Sequence, residues 1–212
     1  MSPSRPLPRP QLIAAAWCLV ALPAWAAPSL EDAWKIQPRQ KNVDCDRPGA
    51  DVLKQCTINQ EKIDGMSMLV VRGPGGEILR SFADTNGNRV VDRWSFYKDG
   101  VEVYRDVDSD HDTKSDQCRW LNAAGTRVAE NDKNTGTITA WRDLSPEEAT
   151  AELVNALRDR DPQAFSLLLP TRDELEAAGF TGGRLGELAA RVARAAEQFP
   201  KFAATQKQVN EK

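Results

Sequence analysis

The chain has 212 residues, 41% hydrophobic and 28% charged, with a formal net charge of −3. That length allows one packed domain with an appendage. The acidic balance argues against nucleic acid or an anionic membrane surface as the main partner.

Residues 1–26 read as an export signal. Arg5 and Arg9 give a basic start, Leu12 to Leu22 an apolar run, and Ala24-Trp25-Ala26 sets alanines where a signal peptidase reads. The run is shorter than the roughly 20 residues a bilayer span requires. Trp17 before Cys18 disfavours a lipid anchor. The mature protein is therefore expected to be secreted or periplasmic, with no membrane span after signal cleavage.

Residues 27–55 form a polar, proline-punctuated segment, expected to be an extended arm in which Trp34 and Ile36 dock on the domain. Cys45, Cys56 and Cys118 remain after cleavage, and an oxidising destination permits a disulfide. Cys45 and Cys56 flank the turn former Arg47-Pro48-Gly49 and are the candidate pair. The alternative is three buried thiols, with Cys118 packed where the neighbouring repeat has Trp94.

Residues 56–143 carry the signals of a β-hairpin domain. Strands are expected from Cys56, at Met68 to Val71, and at Glu77 to Phe82 beyond the turn Gly73-Pro74-Gly75-Gly76. Val90 to Tyr97 and Val101 to Val107 flank the turn at Lys98-Asp99-Gly100. Gln117 to Leu121 and Thr126 to Glu130 flank Ala123-Ala124-Gly125, and Thr137 to Trp141 closes the series. Val101 and Val103 alternate with Glu102 and Arg105, the period of a sheet with one wet face. Consecutive hairpins with short connections favour an antiparallel meander.

Within this region an acidic loop recurs after twenty-four residues. The first copy offers Asp84, Asn86, Asn88 and Asp92 at loop positions one, three, five and nine, and the second Asp108, Asp110, Asp112 and Asp116. A short loop curls around a hard cation such as calcium in this way, with a backbone carbonyl at position seven, here Val90 or Lys114, joining the side-chain oxygens. The competing reading is solvated turns whose Asx side chains cap their own backbone. The glycine usual at position six is replaced by Arg89 and Thr113, and position twelve carries Ser95 and Arg119. Any calcium binding is thus expected toward the weak, roughly 10⁻⁴ to 10⁻³ M range. A third loop places Asn131, Lys133, Thr135 and Thr139 at the ligand positions, and the lysine removes the site. His111, the single histidine, falls between ligand positions and is expected to face solvent. One histidine excludes a His-pair zinc site.

Trp94, Phe96, Tyr97, Trp120 and Trp141 cluster on the repeat strands. They suit either the core of the sheet, with the later helices as its cover, or an exposed platform for sugar. Residues 144–212 then turn helical. Ser145-Pro146-Glu147-Glu148 and Thr171-Arg172-Asp173-Glu174 are capping boxes, Asp161-Pro162 starts a short helix, and Gly179 stops another. From about Gly183 an apolar stripe runs through Leu185, Leu188, Val192, Ala195, Phe199 and Phe202, with Pro200 expected to break or kink it.

The two acidic loops resemble the D-x-[DN]-x-[DN]-x-x-x-D loops of thrombospondin type-3, dockerin and other EF-hand-like calcium repeats. The run from Asp92 through Asn122 is similar to a group of uncharacterised secreted bacterial proteins. In those proteins hairpins with such loops precede a helical segment opening like Ser145-Pro146-Glu147-Glu148. The resemblance spans about residues 56 to 200 and implies no known activity. Its members commonly have glycine at loop position six and an aromatic where Cys118 stands.

The expectation is an α+β protein: an antiparallel β-meander of repeated hairpins followed by a helical C-terminal segment. It is read as an exported, calcium-stabilised structural or protein-interaction module without catalytic activity. The alternative is a carbohydrate-binding surface domain that uses the repeat aromatics. The partner is an unknown protein or a cell-surface glycan.

Overall fold

The structure is a computed structural model that describes residues 28–41, 43–122 and 125–206; residues 1–26, expected to be an export signal, and Cys18 among them lie outside. Eight strands form one antiparallel sheet in sequence order: β1 Thr57–Ile63, β2 Met66–Arg72, β3 Ile78–Ala83, β4 Arg93–Lys98, β5 Val101–Val107, β6 Gln117–Asn122, β7 Gly125–Asn131 and β8 Ile138–Asp143. The meander and the helices after it are as the hairpin and capping signals required. The sequence signals had underrated β1, which runs its full length against β2 across the tight turn Asp64-Gly65. Both turn residues have positive φ, 51° and 83°, as does the pair Asp99-Gly100 between β4 and β5. Such turns match the twist of the strands they join.

An antiparallel meander sends alternate connections to opposite ends. The β3–β4, β5–β6 and β7–β8 loops therefore share one end of the sheet, and these are the three loops of the repeat. Side chains pair across the strands in two rows on one face. The first is Phe82–Trp94–Asp106–Cys118–Ala129–Trp141, and the second Arg80–Phe96–Tyr104–Trp120–Arg127. Phe96, Tyr104, Cys118 and Ala129 are fully buried there. The aromatics are thus mainly core, and Trp94, Trp120 and Trp141 sit half-buried at its margin.

What covers this face is the N-terminal segment, where the sequence suggested the helices. The segment is also less extended than expected, with helices α1 Leu30–Lys35 and α2 Ala50–Leu53. Ser29 caps α1 by accepting from the Asp32 backbone N–H. Ala33, Trp34 and Ile36 pack against Leu69, Val71 and Phe82, and Val43 and Cys45 against Phe96 and Tyr104. The three cysteines are buried free thiols. The candidate Cys45–Cys56 bridge does not form, because the two side chains belong to different core clusters.

Arg80 holds the segment down. Its side chain is fully buried, stacks on the Trp34 ring at 3.8 Å, and donates from Nη1 to the carbonyls of Trp34 (2.9 Å) and Ile36. These are among the unpaired carbonyls at the end of α1, where a cation is favoured. Desolvation still lowers its pKa to about 10, and its Nε and Nη2 have no partner.

A second buried polar group joins segment to sheet. The Asp106 carboxylate accepts from the Tyr104 hydroxyl at 2.6 Å and from the Arg39 backbone N–H at 3.1 Å. Burial raises its pKa to about 6 and pushes the adjoining Cys118 thiol up to about 12.

After β8 come α3 Pro146–Asp159, α4 Pro162–Ser166, α5 Arg172–Ala177 and α6 Gly182–Thr205. Both expected capping boxes close, at Ser145–Glu148 and Thr171–Glu174. Ala156, Phe199 and Ala203 form the helical core, with Phe165 stacked on Phe199 at a ring separation of 4.1 Å. The expected break at Pro200 does not occur, and α6 runs unbroken through it. Buried Phe199 and Ala203 pin the helix on both sides of an outward-facing proline, and Phe202 is left exposed. No helix among the described residues is long and apolar enough to cross a membrane.

Two measurements test this account. Arg80→Ala should cost about 2 to 5 kcal/mol in chemical denaturation, as truncation of a large core side chain does. Arg80→Met should recover most of that, because it fills the volume without a buried charge. Equal losses would mean that the two carbonyl bonds dominate. For Asp106 the raised folded pKa means that its proton binds more tightly in the folded state. Its stabilising contribution is fully present below the ordinary carboxylate range and is lost as pH rises through about 6. Denaturation in chelator should show wild type gaining on Asp106→Asn as pH falls from 7 to 5. A difference independent of pH would refute this.

Candidate metal site at the repeat loops

Loops one and two, residues 84–92 and 108–116, share three bonds, from position six to one, from seven to five and from two to nine, and differ in the rest. In loop one Asp84 accepts from the backbone N–H of Gly87 and Arg89, both at 2.7 Å. In loop two Asp108 accepts from Asp112 (3.1 Å) and Thr113 (2.7 Å). Position five caps position seven in each, Asn88 from Val90 and Asp112 from Lys114. Position nine reaches back to the N–H of position two, Asp92 from Thr85 and Asp116 from Ser109. The twenty-four-residue repeat is therefore a repeat of conformation as well as composition.

The price is backbone strain. Positions four and six adopt positive φ in both copies: Gly87 and Arg89 at 81° and 70°, His111 and Thr113 at 62° and 78°. Thr113 is β-branched, for which this region is a genuine outlier. Loop two thus holds two non-glycine residues where loop one holds one, and its bonds to Asp108 fix them there.

Backbone bonds chain the loops together. Asp108 N–H donates to the Asp92 carbonyl, and Asn131 N–H to the Asp116 carbonyl, each at 2.8 Å. Asn131 thereby takes the position that Asp84 and Asp108 hold in their copies. Its amide donates to the Ser115 carbonyl at 3.0 Å, and its buried Oδ1 has no protein partner. Loop three then closes differently. Asp132, one residue later, accepts from the N–H groups of Asn134 and Thr135. Thr135 bonds within this turn, and Thr139 is exposed on β8.

Among the described residues one group of three acids comes together as a metal site would need. Asp108, Asp110 and Asp116 offer carboxylate oxygens that all lie within 4.8 Å of one another. Asp108 is only 1% exposed, Asp116 is half-buried and Asp110 is exposed. The triad could hold a metal ion. Its donors are all oxygen, which suits a hard cation, and each oxygen that accepts one N–H keeps a second lone pair. Asp112 stands outside the triad. In loop one Asp84 and Asp92 are the only acids, and both Asp92 oxygens are engaged by Thr85. Asn86 caps the Asn88 N–H, and Val90 is 42% exposed.

Three contacts at this site carry little signal in the sequence. Lys133, read there as the defect of loop three, sends its ammonium into loop two, 2.5 Å from Asp110 and 2.7 Å from Asp112. These bonds lower the pKa of both carboxyls and raise that of the lysine. His111, expected to face solvent, is 40% exposed at its side chain, yet its Nδ1 lies 3.4 Å from Asp92 of loop one. Arg39 of the N-terminal segment donates to the carbonyls of Ser115 (3.4 Å) and Lys133 (2.9 Å). Gly136, at φ 74°, makes room for it, since a Cβ there would stand 3.2 Å from Arg39 Nε.

Lys133 consequently competes for the carboxylates a metal would use. Lys133→Met should tighten calcium binding at loop two severalfold in isothermal titration and steepen the calcium dependence of the melting temperature. An unchanged affinity would place the ammonium elsewhere in solution.

The chain matches no family model, no curated protein and no solved structure.

Proposed function

We propose that the protein is an exported, non-catalytic structural or protein-interaction module whose repeat loops bind calcium and so fasten one end of the sheet. The observation that carries this reading is the convergence of Asp108, Asp110 and Asp116 in a loop that shares three of its bonds with the Asp84–Asp92 loop. Calcium is preferred to magnesium because its larger shell accepts irregular oxygen geometry, whereas magnesium demands a near-ideal octahedron with several waters retained. The resemblance to EF-hand-like repeats points the same way. Export rests on the character of residues 1–26.

The non-catalytic reading rests on the state of the acids. The loop carboxylates accept backbone N–H groups in polar turns. The one acid among the described residues raised toward neutrality, Asp106, is nearly fully buried under the Arg39 backbone and bonded on both oxygens. A general acid needs an open path to its substrate.

A ligand that binds only the folded state stabilises it. At 10 mM calcium and a dissociation constant near 1 mM this amounts to about 1.4 kcal/mol, or a rise of about 3 to 6 °C in melting temperature. Replacing Asp108 and Asp110 by Ala should remove most of the rise, and replacing Asp84 and Asn86 should remove less. Identical melting curves in calcium and chelator would sink the reading.

A further inference from the structure

A cleft of about 690 Å³ opens where the helices meet the far end of the sheet. One wall is Trp120, Arg127 and Trp141, and the facing wall is α3 with Glu152 and Asn155. The N-terminal segment at residues 39–41 and the loop-three residues 135–137 form its rim. A second space of about 320 Å³ adjoins it and shares Trp141 as a wall. The volume lies within the range of small-ligand sites.

Most of the cleft's charged groups are paired or bonded to backbone, and Lys41 on the rim is the exception, exposed and without a partner among the described residues. Arg127 stacks over Trp120, its guanidinium carbon 4.3 Å from the ring centre, and bonds Glu152 across the gap. Arg158 pairs with Asp159 at 2.9 Å, and Asp161 accepts from two N–H groups of α4. Arg39 is committed to backbone carbonyls. An ionic ligand would thus meet one solvated ammonium, Lys41, and no clustered charge. What remains is directional and neutral: the half-buried Asn155 amide, which has no protein partner among the described residues, the exposed Thr137 hydroxyl, which accepts from Thr135 and keeps its own hydrogen to donate, and spare lone pairs on the paired carboxylates. Beside them stand the half-buried indoles of Trp120 and Trp141, set 5.8 Å apart at 42°.

We propose that this cleft binds a neutral oligosaccharide, with Trp141 as the stacking wall and Asn155 and Thr137 as hydroxyl partners. A pyranose ring presents a flat C–H face suited to an aromatic and a rim of hydroxyls that both donate and accept. The site differs from an open aromatic platform on the sheet, which the burial of Phe96 forecloses. It also stands apart from the cation reading, since none of the carboxylate triad lines it.

The test is calorimetric titration of the mature chain with cellohexaose, chitohexaose and mannohexaose, alongside hexagalacturonate as a charged counterpart. At least one neutral probe should give saturable binding with a change in tryptophan emission. Trp141→Ala should weaken it about threefold to tenfold, the range for one lost stacking contact. Asn155→Ala should weaken it severalfold. Thr137→Trp, at an exposed rim position that leaves the core untouched, should abolish binding and decides the matter if Trp141→Ala does not fold. The affinity should be the same in calcium and in chelator. No saturable neutral probe, wild-type affinity in Thr137→Trp, or tighter binding of hexagalacturonate would overturn the proposal.

Discussion

The fold depends on a guanidinium buried where no carboxylate waits for it. Arg80 lies in the middle of the sheet face, and its bonds go to the two carbonyls that end α1. Burying a charge without a full set of partners is costly, so the arrangement persists only because it settles another problem. One face of an eight-stranded sheet must be dried, and α3 meets it at Arg127 of β7 through Glu152. The N-terminal segment covers the rest, and Arg80 fixes where it lies. Everything farther along the segment follows from that placement. Arg39 arrives at the loop end with its backbone on Asp106 and its side chain on loops two and three. A contact in the core thus governs geometry at the candidate metal site.

The legible parts of this protein are those encoded by neighbours in sequence. Turn dipeptides such as Asp99-Gly100, capping boxes such as Ser145 to Glu148, and alternation along Val101 to Val107 act within a few residues. They delivered the meander and the helices. The repeat was legible because both copies share a register. What could not be read is what travels far. Nothing near Lys133 reveals that its ammonium crosses to a loop more than twenty residues back. Nothing near Trp34 reveals that an arginine from β3 will cap its helix. Pro200 failed as a signal for a related reason: packing of Phe199 and Ala203 outweighed a local preference. The cysteines misled because nearness along the chain says little about which core each side chain joins.

At the loops the chain supplies two answers to one electrostatic problem. Clustered carboxylates repel, and either a metal ion or a tethered ammonium can relieve them. Loop two has both options, Lys133 over Asp110 and Asp112 and the open triad around Asp108. On the proposed calcium reading, Lys133 keeps the loop ordered when calcium is scarce and weakens its binding when it is present. Thr113 and His111, held at positive φ, add to that cost, since closing around an ion leaves their strain in place.

The backbone bonds between loops have an architectural consequence. Each unit starts where its first N–H meets the carbonyl that ends the previous loop, Asp108 on Asp92 and Asn131 on Asp116. Input and output of a unit are the same bond, so whole units, twenty-three residues from Asp108 to Asn131, are interchangeable parts. Adding one would insert two strands and one loop without disturbing the register of its neighbours. Loop three illustrates the freedom this confers: it keeps the joint at Asn131 while its interior has drifted to another turn. Such a sheet can lengthen by duplication and let individual copies diverge, with the joints alone under strict geometric demand.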